Sequence, residues 1–174
     1  NLKGSIESYS GIAMNNLTKK IFTWGYDPGG ALGLGYYHTV PNGTGGMTTG
    51  DKKSFQNIAF DYTGKEVAEV YSAPNYLKAF LTKAGEVYWF GQNNGNYQIG
   101  AVGTRSNIPL KLSNLPPIQK VVFGMYHTLF LDKDGFVWSV GNNTNGQLGN
   151  GTTMTSGLYY KVTSLPKIKD IASG

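Results

Sequence analysis

The sequence GMYHTLFLDKDGFVWSVGNNTNGQLGNG, at residues 124–151, decides how the rest of the chain is understood. Two short apolar runs flank an Asp134-Gly135 turn, and a glycine-punctuated loop follows that ends near Gly149. Apolar runs on either side of an Asp-Gly pair predict two antiparallel strands joined by a tight turn. The same pattern occurs twice more upstream, so the unit is a repeat.

The repeat has a period near 50 residues. Gly91 and Gly141, which end the return strands of the second and third copies, lie 50 residues apart. The first copy is longer, because 66 residues separate Gly25 from Gly91, and the surplus falls in 36–65. The repeat signature comprises Gly25, Gly33, Gly85, Gly91, Gly100, His127, Gly135, Gly141 and Gly149.

A period near 50 with four short strands per copy predicts an all-β repeat fold, the β-propeller, whose blades are four-stranded antiparallel sheets. The approximate repeats are 1–73, 74–123 and 124–174. Within the first, 36–65 is predicted to be a surface insertion in which Ile58–Tyr62 is the strand-like part. The tryptophans recur on the return strands and are expected to pack between blades.

Three copies are too few to close a ring, since propellers have about 4–8 blades. We therefore expect the remaining blades to lie elsewhere in a longer parent chain or in another copy, and favour the parent chain. The lack of an initiator methionine before Asn1 suggests a segment of a longer polypeptide or a processed product.

Composition excludes several classes of function. The chain has no cysteine, which rules out disulfides and thiolate chemistry, and no apolar run near the ~20 residues of a membrane helix. Its net charge is +5, but Arg105 is its one arginine and the lysines are scattered, which argues against nucleic-acid recognition.

Three motifs suggest chemistry, and each has a simpler structural explanation. Asp132-Lys133-Asp134-Gly135 resembles the start of a calcium loop, but no glutamate follows at the required spacing, so a hairpin turn is favoured. Gly30 to Gly35 resembles a phosphate loop, but no helix follows it, so a blade corner is favoured. His127 is expected to be structural. We therefore expect no catalytic, cofactor-binding or metal-binding residues.

Interaction residues are sought in the loops, because aromatic side chains there often anchor interfaces. The insertion 36–65 and the loops 92–108 and 142–159 are expected to carry contacts. The candidate residues are Tyr36, Tyr37, His38, Tyr97, Arg105, Tyr159 and Tyr160. Asn-x-Thr sequons at Asn16, Asn42, Asn142 and Asn150 matter if the protein enters a eukaryotic secretory route.

The third copy resembles the repeat of the regulator of chromosome condensation family. The resemblance rests on Gly124-x-x-His127-Thr128-Leu129, Asp134-Gly135, Gly141-Asn142 and Gly146-Gln147-Leu148-Gly149. The second copy has Pro74 and Leu77 where the family has glycine and histidine. This resemblance implies a seven-bladed propeller. It also implies, as one alternative, a regulator that exchanges the nucleotide of a small GTPase.

The favoured function is a non-enzymatic protein-interaction or scaffold module that binds a protein partner or neighbouring subunit. The low charge and the Asn/Thr/Tyr/Gly-rich loops favour an extracellular, cell-surface or virion-associated setting over a cytoplasmic or nuclear one. The alternatives are the GTPase exchange factor and a carbohydrate-binding propeller.

Overall fold

The computed structural model describes residues 2–7, 10–36, 39–41, 47–49, 51–74, 76–93, 97–100 and 103–173. These residues form fourteen strands and one short 3₁₀ turn at Pro28–Gly30. The strands are β1 Leu2–Glu7, β2 Ser10–Asn15, β3 Ile21–Tyr26, β4 Thr39–Pro41, β5 Met47–Thr49, β6 Asp51–Asn57, β7 Val67–Ala73, β8 Leu77–Thr82, β9 Val87–Gln92, β10 Arg105–Lys111, β11 Ile118–Phe123, β12 His127–Asp132, β13 Val137–Gly141 and β14 Ser156–Lys161.

Twelve of the strands form three four-stranded antiparallel sheets, which confirms the predicted fold class. Blade 1 contains β1, β2, β3 and β6, blade 2 contains β7 to β10, and blade 3 contains β11 to β14. Within each blade every strand pairs with the next, and β4 pairs with β5 in a separate hairpin. No helix in the described part of the chain is long and apolar enough to cross a membrane.

The core lies between the blades. Side chains of blade 1 such as Ile12 and Ile21 pack against Phe80 and Phe90 of blade 2. On its other side blade 2 packs Trp89 into a cluster with blade 3. Because blade 2 is covered on both faces, every residue of β8 is buried, and the strand lacks the two-residue alternation of a half-exposed sheet.

The period of 50 residues recurs in the hydrogen bonds. The amide of Ile118 donates to Gly85 O at 2.9 Å, and that of Ile168 donates to Gly135 O at 3.0 Å. The sheets are shifted relative to the predicted repeats. Blades 2 and 3 begin with β7 and β11, which are the last strands of the first and second predicted repeats. Thus β11 comes before Gly124, and the segment after Ile168 occupies the position of a next first strand.

The prediction for 36–65 was wrong in one respect. Asp51–Asn57 is the fourth strand of blade 1 and pairs with Ile21–Tyr26. Ile58–Tyr62 is not a strand. Phe60 instead makes edge contacts with the rings of Phe80 and Tyr88, so this segment closes the gap between two blades. The outermost strand is polar because solvent borders it, which is why DKKSFQN did not look like a strand.

Candidate interaction surface

The two ends of the blades differ in their connections. The long-loop end carries the connections at 27–50, 74–76, 93–104, 124–126 and 142–155, and the turn end carries those at 16–20, 58–66, 83–86, 112–117, 133–136 and 162–173. At the turn end, hydrogen bonds tie neighbouring connections together, for example from Lys83 N to Glu66 O at 2.8 Å. At the long-loop end, Gln98 Nε2 donates to Gly124 O of the next blade at 2.9 Å.

Each long loop is anchored by a buried Asp or Asn that directly follows the third strand or lies one residue beyond it. Its side-chain oxygen accepts the amide hydrogen of an apolar residue five or six positions later, which fixes the fold of the loop. The pairs are Leu32 N to Asp27 at 2.9 Å, Ile99 N to Asn93 at 3.2 Å and Leu148 N to Asn143 at 2.9 Å.

The glycine-rich corner of each loop packs on the following blade, where one is present. Gln98 is buried in the corner of blade 2, and its carbonyl accepts from Thr128 Oγ1 of blade 3 at 2.5 Å. The equivalent Gln147 of blade 3 folds back and donates to Asn142 Oδ1 of its own loop at 2.8 Å. Gly33 and Gly100 are buried, whereas Gly149 is exposed. The corner role predicted for Gly30 to Gly35 is therefore confirmed.

The long-loop end is almost free of charge. Among the described residues of its connections the one charged side chain is Asp27, which is 1% exposed because it anchors its loop. Charged residues border these connections at the starts of two strands, namely Lys52 on β6, whose ammonium lies 6.0 Å from the centre of the Tyr36 ring, and the exposed Arg105 on β10. The turn end instead carries ion pairs, such as Lys83 with Glu66 at 2.7 Å and Lys120 with Asp170. The connections at the two ends thus differ in charge, although the sequence shows only a scatter of lysines.

Large side chains project from the long-loop end. Tyr97 is 44% exposed, Met125 61% and Tyr126 38%. We name these three residues the central patch. Their two loops are joined, because Gln98, next to Tyr97, donates to Gly124 O, next to Met125. Tyr36 and Met154 are also exposed at this end. Sequence reasoning missed the two methionines and Tyr126. The sequence could have indicated them, because 124–126 joins the first and second strands of blade 3 and therefore lies at the end opposite the Asp134-Gly135 turn.

The predicted interaction residues have several fates. Tyr36 and Tyr97 lie in exposed loops, and Arg105 is exposed at the first position of β10. Tyr37 and His38 lie outside the described residues. The expectation that Tyr159 and Tyr160 lie in loops was wrong, because both are on β14.

Tyr159 and Tyr160 are instead part of the packing. The Tyr159 hydroxyl donates to Ile99 O at 2.9 Å, and its ring meets Phe130 edge to face. Burial raises the pKa of this phenol above its usual range. Tyr160 packs against the cluster on the far side of blade 3. Neither side chain is available as a free anchor.

His127 directly follows the central patch residue Tyr126, and its ring is engaged in contacts within the fold. Its ring packs on Gly124, where an added Cβ would lie 2.1 Å from the ring, so this position of the histidine ring requires a glycine at 124. Its Nε2 lies 3.2 Å from Ser173 Oγ. Burial lowers the pKa of the imidazole.

The acidic motif at 132–135 is a turn, as predicted. One Asp132 carboxylate oxygen accepts the amide hydrogens of Asp134 and Phe136 at 3.0 and 2.8 Å. The other accepts from Trp138 Nε1 at 2.8 Å, so the carboxylate is fully used within the hairpin. Within the described ranges no group of three His, Cys, Asp or Glu side chains is placed to hold a metal ion.

Comparison with known proteins finds relatives along most of the chain. The mitochondrial RCC1 domain-containing protein RUG3 of Arabidopsis thaliana is 29% identical over 164 residues, which cover 88% of this chain and 34% of the relative. The X-linked retinitis pigmentosa GTPase regulator of the dog is 32% identical over 150 residues, covering 81% of this chain and 15% of the relative. The chain thus spans about a third or less of these relatives.

Solved structures have the same fold. Human WBSCR16 superposes on 92% of this chain with a TM-score of 0.73 at 17% identity, over 37% of its own length. Prp20p of Saccharomyces cerevisiae superposes on 92% of this chain with a TM-score of 0.69 at 17% identity, over 38% of its length. At such identity the likeness shows the fold alone.

The family models match the two copies in which the sequence pattern is clearest. The regulator of chromosome condensation (RCC1) repeat matches residues 84–131 and 134–174, and a second model of the same repeat matches 118–147. The matched segments span just over half of the chain. The repeat spacing, the three blades and these matches agree, and the chain belongs to the regulator of chromosome condensation repeat family.

Proposed function

We propose that this chain is a non-enzymatic protein-interaction module that binds a protein partner through its long-loop end. The observation that carries the proposal is a set of loops whose described residues expose tyrosine and methionine side chains and no charged side chain. Interface cores are depleted in charged residues and enriched in Tyr and Met, so this end has the composition of a binding surface. The turn end, with its exposed ion pairs, has the composition of an ordinary solvated surface.

The proposal includes further blades. The exposed Gly149 and the inward-turned Gln147 occupy positions that are buried or bonded to the next blade elsewhere in the chain. The far side of blade 3 also carries an apolar cluster, which includes Leu131 and Val137. Both features support a larger propeller in which another blade covers blade 3. An extracellular or virion-associated setting rests on composition alone and stays a prediction, to be tested by localising the tagged protein in its source cells.

The binding proposal is tested by site-specific photo-crosslinking. A benzoylphenylalanine replaces Tyr97 or Tyr126 in the central patch, and the matched control replaces Leu17, which is 91% exposed at the turn end. We expect one protein to be crosslinked from both patch positions and not from the control. The purified protein is then titrated against the unlabelled chain. Equal crosslinking from Leu17 and from the two patch positions, or no binding on titration, would contradict the proposal.

A second candidate function is regulation of a small GTPase. One similar protein favours it, because the canine relative, which is 32% identical, is named a GTPase regulator. Release of a fluorescent guanine nucleotide from candidate GTPases tests it directly. Acceleration by this chain would identify the partner as a GTPase and add an exchange activity. Binding without acceleration would leave the interaction module alone.

A further inference from the structure

A cavity of about 290 Å³ opens at the turn end of blade 2. It lies between the turn at 83–86 and the linker that leads to β11. Its walls are mostly apolar, with Leu112, Leu115 and Pro117 on one side, and Glu86 and Lys111 contribute the charged groups. A cavity of about 150 Å³ already accommodates a benzene ring, so this one has room for a larger aromatic side chain.

The same place in blade 3 is occupied by an aromatic ring of the chain itself. A shift of 50 residues turns Glu86 into Phe136 and Lys111 into Lys161. The Lys161 ammonium lies 3.4 Å from the centre of the Phe136 ring, a cation–π contact. Lys167, which is equivalent to the cavity residue Pro117, lies 5.4 Å from the same ring. The ring of Phe136 therefore lies between the residues equivalent to two walls of the cavity.

The backbone frame is the same in both blades, so the difference lies in the side chain. Leu112 N donates to Val87 O at 2.8 Å, and Val162 N donates to Val137 O at 2.9 Å, again with a shift of 50 residues. In blade 2 the Glu86 carboxylate accepts from Lys111 Nζ at 2.5 Å and from the Tyr88 hydroxyl at 3.2 Å.

These bonds keep the Glu86 carboxylate charged and leave the cavity open. The hydrogen bond from Lys111 is the main reason that the pKa of Glu86 is lowered. A charged carboxylate held by Lys111 and Tyr88 thus stands where blade 3 has the phenyl ring of Phe136. The cavity is therefore the blade 3 site without its ring.

We propose that this cavity receives an aromatic side chain of a protein partner, with the ring placed beside Lys111 as Phe136 is placed beside Lys161. This inference rests on the proposed function in one point, which is that the ring comes from a bound protein. The site is at the turn end, so it is a second contact, separate from the central patch. The partner would carry an exposed Phe, Tyr or Trp that reaches this end.

The test uses N-acetyl-phenylalaninamide as the probe and N-acetyl-leucinamide as the matched aliphatic control. Amide resonances of the isotopically labelled 174-residue chain are followed by NMR during titration. We expect saturable shifts confined to residues such as Gly85, Val87 and Leu112, with a dissociation constant of about 1 mM, as befits so small a ligand. The leucine probe is expected to bind about two- to fivefold more weakly.

Two variants separate the cavity from its charged rim. Glu86→Phe fills the site as Phe136 does and should abolish the shifts, whereas Glu86→Gln leaves the space open and should retain them. The reciprocal Phe136→Glu empties the blade 3 site and should create a second set of shifts around Val137.

Three results would overturn the proposal: no saturable shifts in the parent chain, equal binding of the two probes, or unchanged binding by a folded Glu86→Phe variant. Because the probe is a small molecule, these results do not depend on crosslinking at the central patch. A failure here and a failure of the proposed function are therefore distinguishable.

Discussion

Replacing Gln98 with alanine tests how one blade is attached to the next. The Gln98 side chain is 1% exposed, and its Nε2 donates to Gly124 O across the blade boundary. Removing the amide leaves this carbonyl without its donor. A buried polar group that loses its partner costs about 1–3 kcal/mol.

Two structural details narrow that range. Gln98 Oε1 is buried and has no hydrogen-bond partner among the described residues, so its removal offsets part of the loss. The bond from Thr128 Oγ1 goes to the Gln98 backbone and survives the substitution. We therefore expect Gln98→Ala to lower the free energy of unfolding by about 1–2 kcal/mol, or the Tm by about 2–8 °C for a chain of this size.

The matched control is Gln147→Ala. Gln147 has the same place in the repeat but bonds only within its own half-exposed loop, so we expect a loss within about 0.5 kcal/mol. Urea unfolding followed by tryptophan fluorescence measures both variants. Equal losses at the two positions would refute the claim that the corner of blade 2 is bonded to blade 3 while the corner of blade 3 lacks a neighbour. In a longer parent chain with a fourth blade, Gln147→Ala should become as costly as Gln98→Ala.

Three further predictions follow from charge, titration and topology. Because the described residues of the long-loop connections carry no exposed charge, the dissociation constant of the partner should change by less than about twofold between about 0.1 and 0.5 M salt, measured by calorimetry. A steep dependence would contradict an interface formed by these loops. The pKa of His127 is lowered in the folded chain, so the neutral imidazole stabilises the fold above the ordinary pKa of 6.5, and this stabilisation is lost as the pH falls below 6.5. The free energy of unfolding, measured between about pH 8 and pH 5, should therefore depend less on pH in His127→Gln than in the parent chain. Replacing the separate hairpin 39–49 with a flexible linker should leave blade 1 folded, whereas replacing 51–57 should unfold blade 1, because only the second replacement removes a strand of its sheet. The Ile12 amide should stay protected from hydrogen exchange in the first variant and lose its protection in the second.

The repeat pattern predicted the fold because each copy supplies the same short strands and tight turns, even where an insertion lengthens the first copy. Asp134-Gly135 and Gly141 mark the turn and the strand end in the third copy, and the glycines of both marks appear 50 residues earlier. The fourth strand of blade 1 was missed because it is an outer strand, and an outer strand needs few apolar residues. Its pairing with Ile21–Tyr26 is a tertiary fact that the local pattern of DKKSFQN does not carry.

The candidate site was harder to predict for a related reason. Tyr159 and Tyr160 follow a loop rich in Asn and Thr, and without the register of β14 their burial cannot be seen. The difference in charge between the two sets of connections depends on which end of the blade each connection occupies, which becomes clear only when strand directions are known. The cavity in blade 2 could have been suspected from sequence, because Glu86 replaces the aromatic residue present at position 136.

The central claim is that the long-loop end is the binding face. The most direct test is the affinity of the purified crosslinked partner for two matched variants, Tyr126→Ser in the central patch and Leu17→Ser at the turn end. Removing a large interface side chain typically costs about 1–2 kcal/mol or more at an anchor position, so Tyr126→Ser should weaken binding about tenfold. Leu17→Ser should leave the dissociation constant unchanged. Equal affinities of the two variants, with both chains folded, would contradict the account.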